Sequence, residues 1–133
     1  MMRKTTIIVA VAALLATACQ ESLEERAARE AREITETKCP MPVGDNLLLD
    51  SVSFDIPSLT QSQYFSVHGD LDNDSIFESV DTRALLLSEL RNAPSYRPLM
   101  ERGVAFHYVY YSHSDADRVL LELTLTPDDY GRK

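Results

Sequence analysis

Apolar and polar positions change their spacing several times along the chain, and each change predicts a different element. Residues 7–16 are all apolar, a run too short for a helix that crosses a bilayer. Residues 20–38 are mostly charged and carry only a thin apolar line at helical spacing, which is typical of an exposed helix. Beyond residue 46 the apolar positions alternate or recur every three to four residues, which predicts a folded domain.

Two pairs of strand-like runs occur in this domain. Residues 47–56 and 62–68 are rich in strand-forming side chains on either side of a turn, which predicts a first hairpin. Residues 104–111 and 118–126 flank the polar segment 112–117 and predict a second hairpin. We expect the apolar face of the last strand to pack against a helix; it consists of Val119, Leu121, Leu123 and Leu125.

One helix is predicted between the hairpins, over residues 75–92, with a wide apolar stripe and a capping box of Ser75 and Glu78. A short turn is expected before Gly103, and 127–133 is predicted to be a polar tail. The order of elements is β-β-α-β-β. It predicts an α+β fold, a two-layer domain in which one helix packs on one face of an antiparallel sheet, preceded by an exposed helical tether.

The N-terminus has the features of an export signal. Arg3 and Lys4 precede the apolar run, and Ala16-Thr17-Ala18 is a small-residue cleavage motif. The residue after this motif is Cys19. We therefore predict a signal peptide over residues 1–18.

The junction at Cys19 resembles the lipobox of bacterial lipoproteins, in which a small residue precedes the cysteine. The resemblance implies that Cys19 is acylated and becomes the N-terminus of the mature chain. The family favours Leu where this chain has Ala16, so cleavage by an ordinary signal peptidase, which leaves Cys19 free, is the alternative. In the family, Asp after the cysteine marks inner-membrane retention in some bacteria, so Gln20 implies the outer membrane, facing the periplasm or the surface.

Three segments follow from these features. Residues 1–18 are a signal peptide, 19–38 a lipid-anchored helical tether, and 39–133 a small α+β domain. Pro40 and Pro42 end the helix. A helix that docks on the domain or on a partner is the alternative to a tether.

Charge and cysteine content narrow the function classes. The formal net charge of the chain is −8, which argues against binding nucleic acid and against electrostatic docking on anionic lipid.

Cys19 and Cys39 are the two cysteines. Acylation of Cys19 leaves Cys39 as a lone thiol, whereas a free Cys19 could pair with it in an oxidising compartment.

An acidic loop has the spacing of a calcium site. Its oxygens fall at positions 1, 3, 5, 9 and 12 of an EF-hand-like loop, which wraps a hard cation in six or seven oxygens. Ser75 stands where such loops have Gly, and a strand rather than a helix precedes the loop. The alternative is that Asp72 or Asp74 caps the following helix. The candidate ligands are Asp70, Asp72, Asp74, Glu78 and Asp81.

A tyrosine-rich strand is the candidate surface for a partner or ligand. Tyr108, Tyr110 and Tyr111 are suited to contacts with sugars, peptides or proteins, although such residues also simply cover small sheets. No ordered catalytic motif and no glycine-rich phosphate loop is present.

We therefore predict a cell-envelope lipoprotein that lacks enzymatic activity and a cofactor. It resembles in build the many small uncharacterised bacterial lipoproteins, which implies no particular activity. The predicted role is binding or assembly, with the membrane contacted through the N-terminal lipid and an unknown envelope protein or ligand as partner. A calcium- or small-ligand-binding module at Asp70–Asp81 is the alternative.

Overall fold

The computed structural model describes residues 20–131, so the predicted signal peptide and the lipidation site Cys19 lie outside the described residues. The described chain forms five strands and five α-helices. Their bounds are α1 (Leu23–Thr37), β1 (Met41–Gly44), β2 (Leu47–Asp55), β3 (Thr60–Val67), α2 (Asp74–Ser79), α3 (Thr82–Asn92), α4 (Arg97–Arg102), β4 (Ala105–Ser112), β5 (Val119–Leu125) and α5 (Pro127–Tyr130).

The strands form one sheet in the order β1-β2-β3-β4-β5. Both predicted hairpins are confirmed, β2 with β3 and β4 with β5. Strand β1 was not predicted, because Pro42 within it and Pro40 before it indicate a helix end rather than a strand. Pro42 is accommodated because β1 is an edge strand that pairs on one side only.

The α+β class is confirmed, but the two central strands are parallel. β3 and β4 run in the same direction, whereas the prediction had an entirely antiparallel sheet. The difference follows from the connection between them. The helical segment 74–102 carries the chain back to the end of the sheet where β3 began, and such a crossover joins parallel strands.

The helix predicted over 75–92 is two helices. Val80 has an extended conformation, and the carboxylate of Asp81 accepts a hydrogen bond of 3.1 Å from the backbone N–H of Ala84. Asp81 is thus the N-cap of α3 and interrupts the helix. The cap of α2 is Asn73, whose side chain accepts from the N–H of Ser75, so the capping box predicted at Ser75 is wrong.

The core lies between one face of the sheet and helices α2 to α5. Phe106, Leu125 and Val67 are fully buried beneath Leu86 and Leu90 of α3. The segment predicted to be a polar tail contributes to this core through the short helix α5. The hydroxyl of Tyr130 donates a hydrogen bond of 2.9 Å to the carbonyl of Val104, and its ring contacts Phe106.

Helix α1 lies along the edge of β2. Strand β1 pairs only with the first residues of β2, and α1 covers the part that follows. The hydroxyl of Thr35 donates to the carbonyl of Val52 and accepts from its N–H, both at 2.8 Å. At the other end of α1, Glu24 binds Arg102 at 2.7 Å. The sequence allowed either an exposed tether or a helix that docks. These contacts match a helix that docks on the domain.

Candidate functional site

A groove of about 360 Å³ opens between α3 and the β1–β2 side of the sheet. The side chains around it are mostly apolar or aromatic, and Glu89 is the charged residue among them. They are Val43, Leu47, Leu49, Gln63, Phe65, Thr82, Leu85, Leu86, Glu89, Leu90, Tyr96, Tyr108 and Tyr110.

The run of three consecutive leucines in α3 explains why the groove has an apolar rim. Adjacent residues of a helix point about 100° apart, so Leu85, Leu86 and Leu87 cannot all face the core. Leu86 is buried, whereas Leu85 is 56% exposed beside the groove. Val43 of β1, on the other side of the groove, is 45% exposed. The groove therefore offers apolar surface to a partner at its rim as well as its floor.

Tyr108 and Tyr110 contribute to the floor of this groove and are 4% and 6% exposed. Burial raises the pKa of Tyr110 to about 12, and the Glu89 carboxylate adds to the effect. Burial also raises the pKa of Tyr108, helped by Tyr96. Both phenols are therefore neutral at physiological pH and act as packing surface and as hydrogen-bonding groups.

Tyr111 lies on the opposite face of the sheet from its two predicted partners. Its ring is nearly parallel to that of Tyr64, with 6.5 Å between the ring centroids. The structure therefore does not bring Tyr108, Tyr110 and Tyr111 together into one exposed surface. The leucines and Val43 that line the groove were not singled out from the sequence, although the Leu85–Leu87 run is a signal that could have found them.

The face that carries Tyr111 is polar and aromatic. The imidazole of His107 contacts the Ser62 hydroxyl through Nδ1 at 2.9 Å and the Glu122 carboxylate through Nε2 at 2.6 Å. Its ring packs edge-on against Tyr64. These contacts occupy both ring nitrogens of His107, which makes it a structural residue of the sheet face rather than a free base.

A second polar cluster joins Asp50, Ser66 and His68 near a cavity of about 400 Å³. The Ser66 hydroxyl donates to Asp50 at 3.1 Å and contacts Nε2 of His68 at 3.2 Å. Because the hydroxyl proton goes to Asp50, Nε2 of His68 is the donor to Ser66. A nucleophilic serine needs the reverse arrangement, in which histidine accepts the hydroxyl proton.

Three of the five predicted calcium ligands take part in separate local contacts. Asp72 accepts hydrogen bonds from the N–H and hydroxyl of Ser114, at 3.0 and 2.7 Å. The hydroxyls of Ser112 and Ser114 hold the pKa of Asp72 at about 2. Asp74 binds Arg118 at 2.7 Å, and Asp81 caps α3.

Asp70 lies in an exposed 3-10 turn, Gly69–Leu71, and Glu78 lies on α2. Residues 20–131 contain no group of three or more His, Cys, Asp or Glu side chains arranged to hold a metal ion. Calcium binding at this loop stays a prediction.

Cys39 is half-buried between α1 and β1, and its thiol is free. Burial raises the pKa of this thiol, and the nearby Asp50 carboxylate adds to the effect. A raised pKa lowers the thiolate fraction and thus the reactivity of the thiol. The environment of Cys39 favours a structural role.

A comparison with known protein families identifies the family of this chain. Its residues 22–121 match a family described as Domain of unknown function (DUF8479). The chain belongs to this family. No curated protein sequence matches it. Among the described residues, none of the helices has the length and apolar content needed to cross a membrane.

Three solved structures share the fold. A candidate secreted protein from Pseudomonas aeruginosa is 12% identical, with a TM-score of 0.63 over 84% of this chain and 99% of the other. EpsS, the type II secretion pilotin of Vibrio vulnificus, is 13% identical, with a TM-score of 0.58 over 84% and 94%. AspS, the type II secretion pilotin of Vibrio cholerae, is 15% identical, with a TM-score of 0.57 over 80% and 91%. At these levels of sequence identity, the similarity shows a shared fold alone.

Proposed function

We propose that this protein is a non-enzymatic assembly accessory of the bacterial cell envelope that holds an apolar segment of a partner protein in the α3 groove. The observation that carries the proposal is the apolar rim of the groove, where Leu85 and Val43 stand exposed on opposite sides. An amphipathic helix or extended segment that lays its apolar side chains between them would cover both.

The shared fold suggests the kind of partner. EpsS and AspS are pilotins of the type II secretion system, and we propose a secretin or another envelope component of a secretion assembly as the partner here. Glu89 at the groove gives the occupant one charged contact, which favours a Lys or Arg beside its apolar side chains.

We further propose that Cys19 is acylated and anchors the protein, in the outer membrane. The support is the lipobox-like junction after Ala18. The intact mass of the mature protein tests this. The wild type should carry the mass of the acyl groups, and Cys19→Ser should lack it. A wild-type mass equal to that of the unmodified chain from residue 19 onward would contradict acylation.

The groove is tested by replacing one rim residue and one matched control. Leu85→Asp places a carboxylate where the partner would have to desolvate it, so co-purification of the secretin from solubilised envelopes should fall about tenfold or more. Val119→Asp is the control, because Val119 is 45% exposed, as Val43 is, but lies on β5 away from the groove. Co-purification should be unchanged for this variant.

Urea denaturation of both purified variants shows whether either has lost its fold. Retention of the secretin by folded Leu85→Asp would overturn the groove as the binding site. If no secretin co-purified with the wild type, the proposal that a secretin is the partner would be wrong. Equal losses in both folded variants would show that added negative charge, and not the groove, controls binding.

A further inference from the structure

We propose that one particular end of the molecule faces the phospholipid headgroups. This end consists of the first turn of α1, Arg102 and the turn between β2 and β3. The acidic turns at the opposite end point away from the membrane. The inference rests on the acylation of Cys19 proposed above, and it specifies how the anchored domain is oriented.

The link between Cys19 and the folded domain is short. Gln20, Glu21 and Ser22 are the residues between Cys19 and α1. The Cα atoms of Cys19 and Ser22 are three residues apart, so they can separate by about 11 Å at most. This is far less than a flexible tether of twenty residues would allow.

Local contacts reduce the freedom of this link further. The Ser22 hydroxyl accepts a hydrogen bond from the N–H of Glu25, and the Glu25 carboxylate accepts one from the N–H of Ser22. The carboxylate of Glu21 folds back onto α1 and binds Arg29 at 2.7 Å. Gln20 is thus the residue of the link without a described side-chain contact to α1.

Helix α1 is itself fixed to the domain at both ends. Glu24 in its first turn binds Arg102, which lies at the end of α4. Thr35 in its last turn holds both backbone groups of Val52. An anchor at Cys19 therefore restrains the whole domain and not only the helix.

The strands show which features share the anchored end. Arg102 precedes β4, and the N–H of Ala105 at the start of β4 donates to the carbonyl of Leu59 in the β2–β3 turn. β4 is eight residues long, which places its far end about 26 Å away. His113 at that far end stacks on His68, and both line a cavity with Pro40, which follows α1.

Fewer acidic residues are bound to cations at the far end than at the anchored end. At the anchored end Glu24 is bound to Arg102 and Glu21 to Arg29, and Asp129 of α5 is bound to Arg83. At the far end carboxylates outnumber cations, and Arg118 is bound to Asp74. An anionic membrane surface repels such an end. Its acidic residues are Asp45, Asp70, Asp72, Asp74, Asp115 and Asp117.

Energy transfer to the membrane surface tests the orientation. A chain of residues 19–133 with Cys39→Ser is coupled through Cys19 to a maleimide phospholipid in phosphatidylcholine–phosphatidylglycerol vesicles that carry acceptor-labelled headgroups. A donor dye is attached at Ile56 in one sample and at Ala116 in another, through an unnatural azido side chain. Both positions are exposed, in the β2–β3 turn and in the β4–β5 turn.

The donor lifetime should be shorter at Ile56 by about twofold or more, because the two turns lie about 26 Å apart along the strands. The matched control has about twelve Gly and Ser residues inserted after Gln20, a linker that spans roughly 20 Å. It should make the two lifetimes nearly equal.

Equal lifetimes without the insert, or a shorter lifetime at Ala116, would overturn the orientation. So would a difference that the insert leaves unchanged, because the short link would then not be its cause. The lipid is attached chemically here, so this result is independent of natural acylation, which the intact mass decides separately.

Discussion

Helices α3 and α1 both pack against the sheet, but different forces hold them. α3 inserts Leu86 and Leu90 into the core, and Leu90 is 1% exposed. α1 has one buried residue, Ala31, and half-buried Leu23, Ala27 and Ile34, and it is fixed by the polar contacts of Thr35 with Val52 and of Glu24 with Arg102. Burial of a leucine contributes more than an exposed ion pair or a single hydrogen bond.

The difference assigns the two helices different roles. α3 is part of the core and sets the position of the groove, so loosening it should unfold the domain. α1 covers an open strand edge, which would otherwise be free to pair with another chain. Its detachment would expose β2 between Ser51 and Asp55 without emptying the core.

The largest expected effect comes from the core contact of α3. Leu90→Ala removes a side chain that is fully buried and leaves a cavity, so the free energy of unfolding should fall by about 2–5 kcal/mol. Urea denaturation followed by circular dichroism measures it. Leu85→Ala is the control on the same helix, and because Leu85 is more than half exposed it should cost about 0.5 kcal/mol or less. Similar losses in both variants would contradict the assignment of α3 to the core.

The same two helices show what could be predicted from the sequence. The capping box of Ser22 and Glu25 is readable from the sequence, because both groups lie within one helical turn. The break between α2 and α3 was missed, although its cause is also local. The apolar residues on either side of Asp81 keep the spacing of one long helix. The Asp81 carboxylate instead accepts a hydrogen bond from the backbone N–H of Ala84 and so starts a second helix.

Contacts between distant segments could not be predicted. Thr35 reaches Val52, and Glu24 reaches a residue of α4 that is far along the chain. Nothing in the charged pattern of residues 20–38 indicates where such partners lie. The groove was missed for the same reason, since α3 and β1 meet only after the chain has crossed the sheet. The separation of Tyr111 from Tyr108 and Tyr110 could have been predicted, because neighbouring residues of a strand face opposite sides.

A smaller effect is expected where α1 meets the edge of β2. Thr35→Val keeps the shape of the side chain but removes the hydroxyl that pairs with both backbone groups of Val52, which should cost about 1–3 kcal/mol. Amide exchange at Val52 should accelerate more than exchange in the core strand β4.

Thr37→Val is the matched control. The Thr37 hydroxyl donates to the Glu33 carbonyl of its own helix and is exposed, so its loss should change the free energy of unfolding by about 0.5 kcal/mol or less. If Thr35→Val were as neutral as this control, α1 would not be held at the strand edge by these bonds.

The smallest effect concerns Asp72, which fixes the loop before α2 to the β4–β5 turn. The hydroxyls of Ser112 and Ser114 hold its pKa at about 2, below its ordinary value of 3.8. A depressed pKa means that the carboxylate stabilises the fold above pH 3.8, and that this contribution is lost as the pH falls towards 2. Asp72→Asn should therefore lower the urea midpoint at pH 7, and the difference from wild type should shrink between pH 4 and pH 2.5. Asp70→Asn, in the neighbouring exposed turn, is the matched control and should leave the urea midpoint at pH 7 unchanged. A difference between Asp72→Asn and wild type that is constant from pH 7 to pH 2.5 would mean that the carboxylate charge does not hold the two loops together.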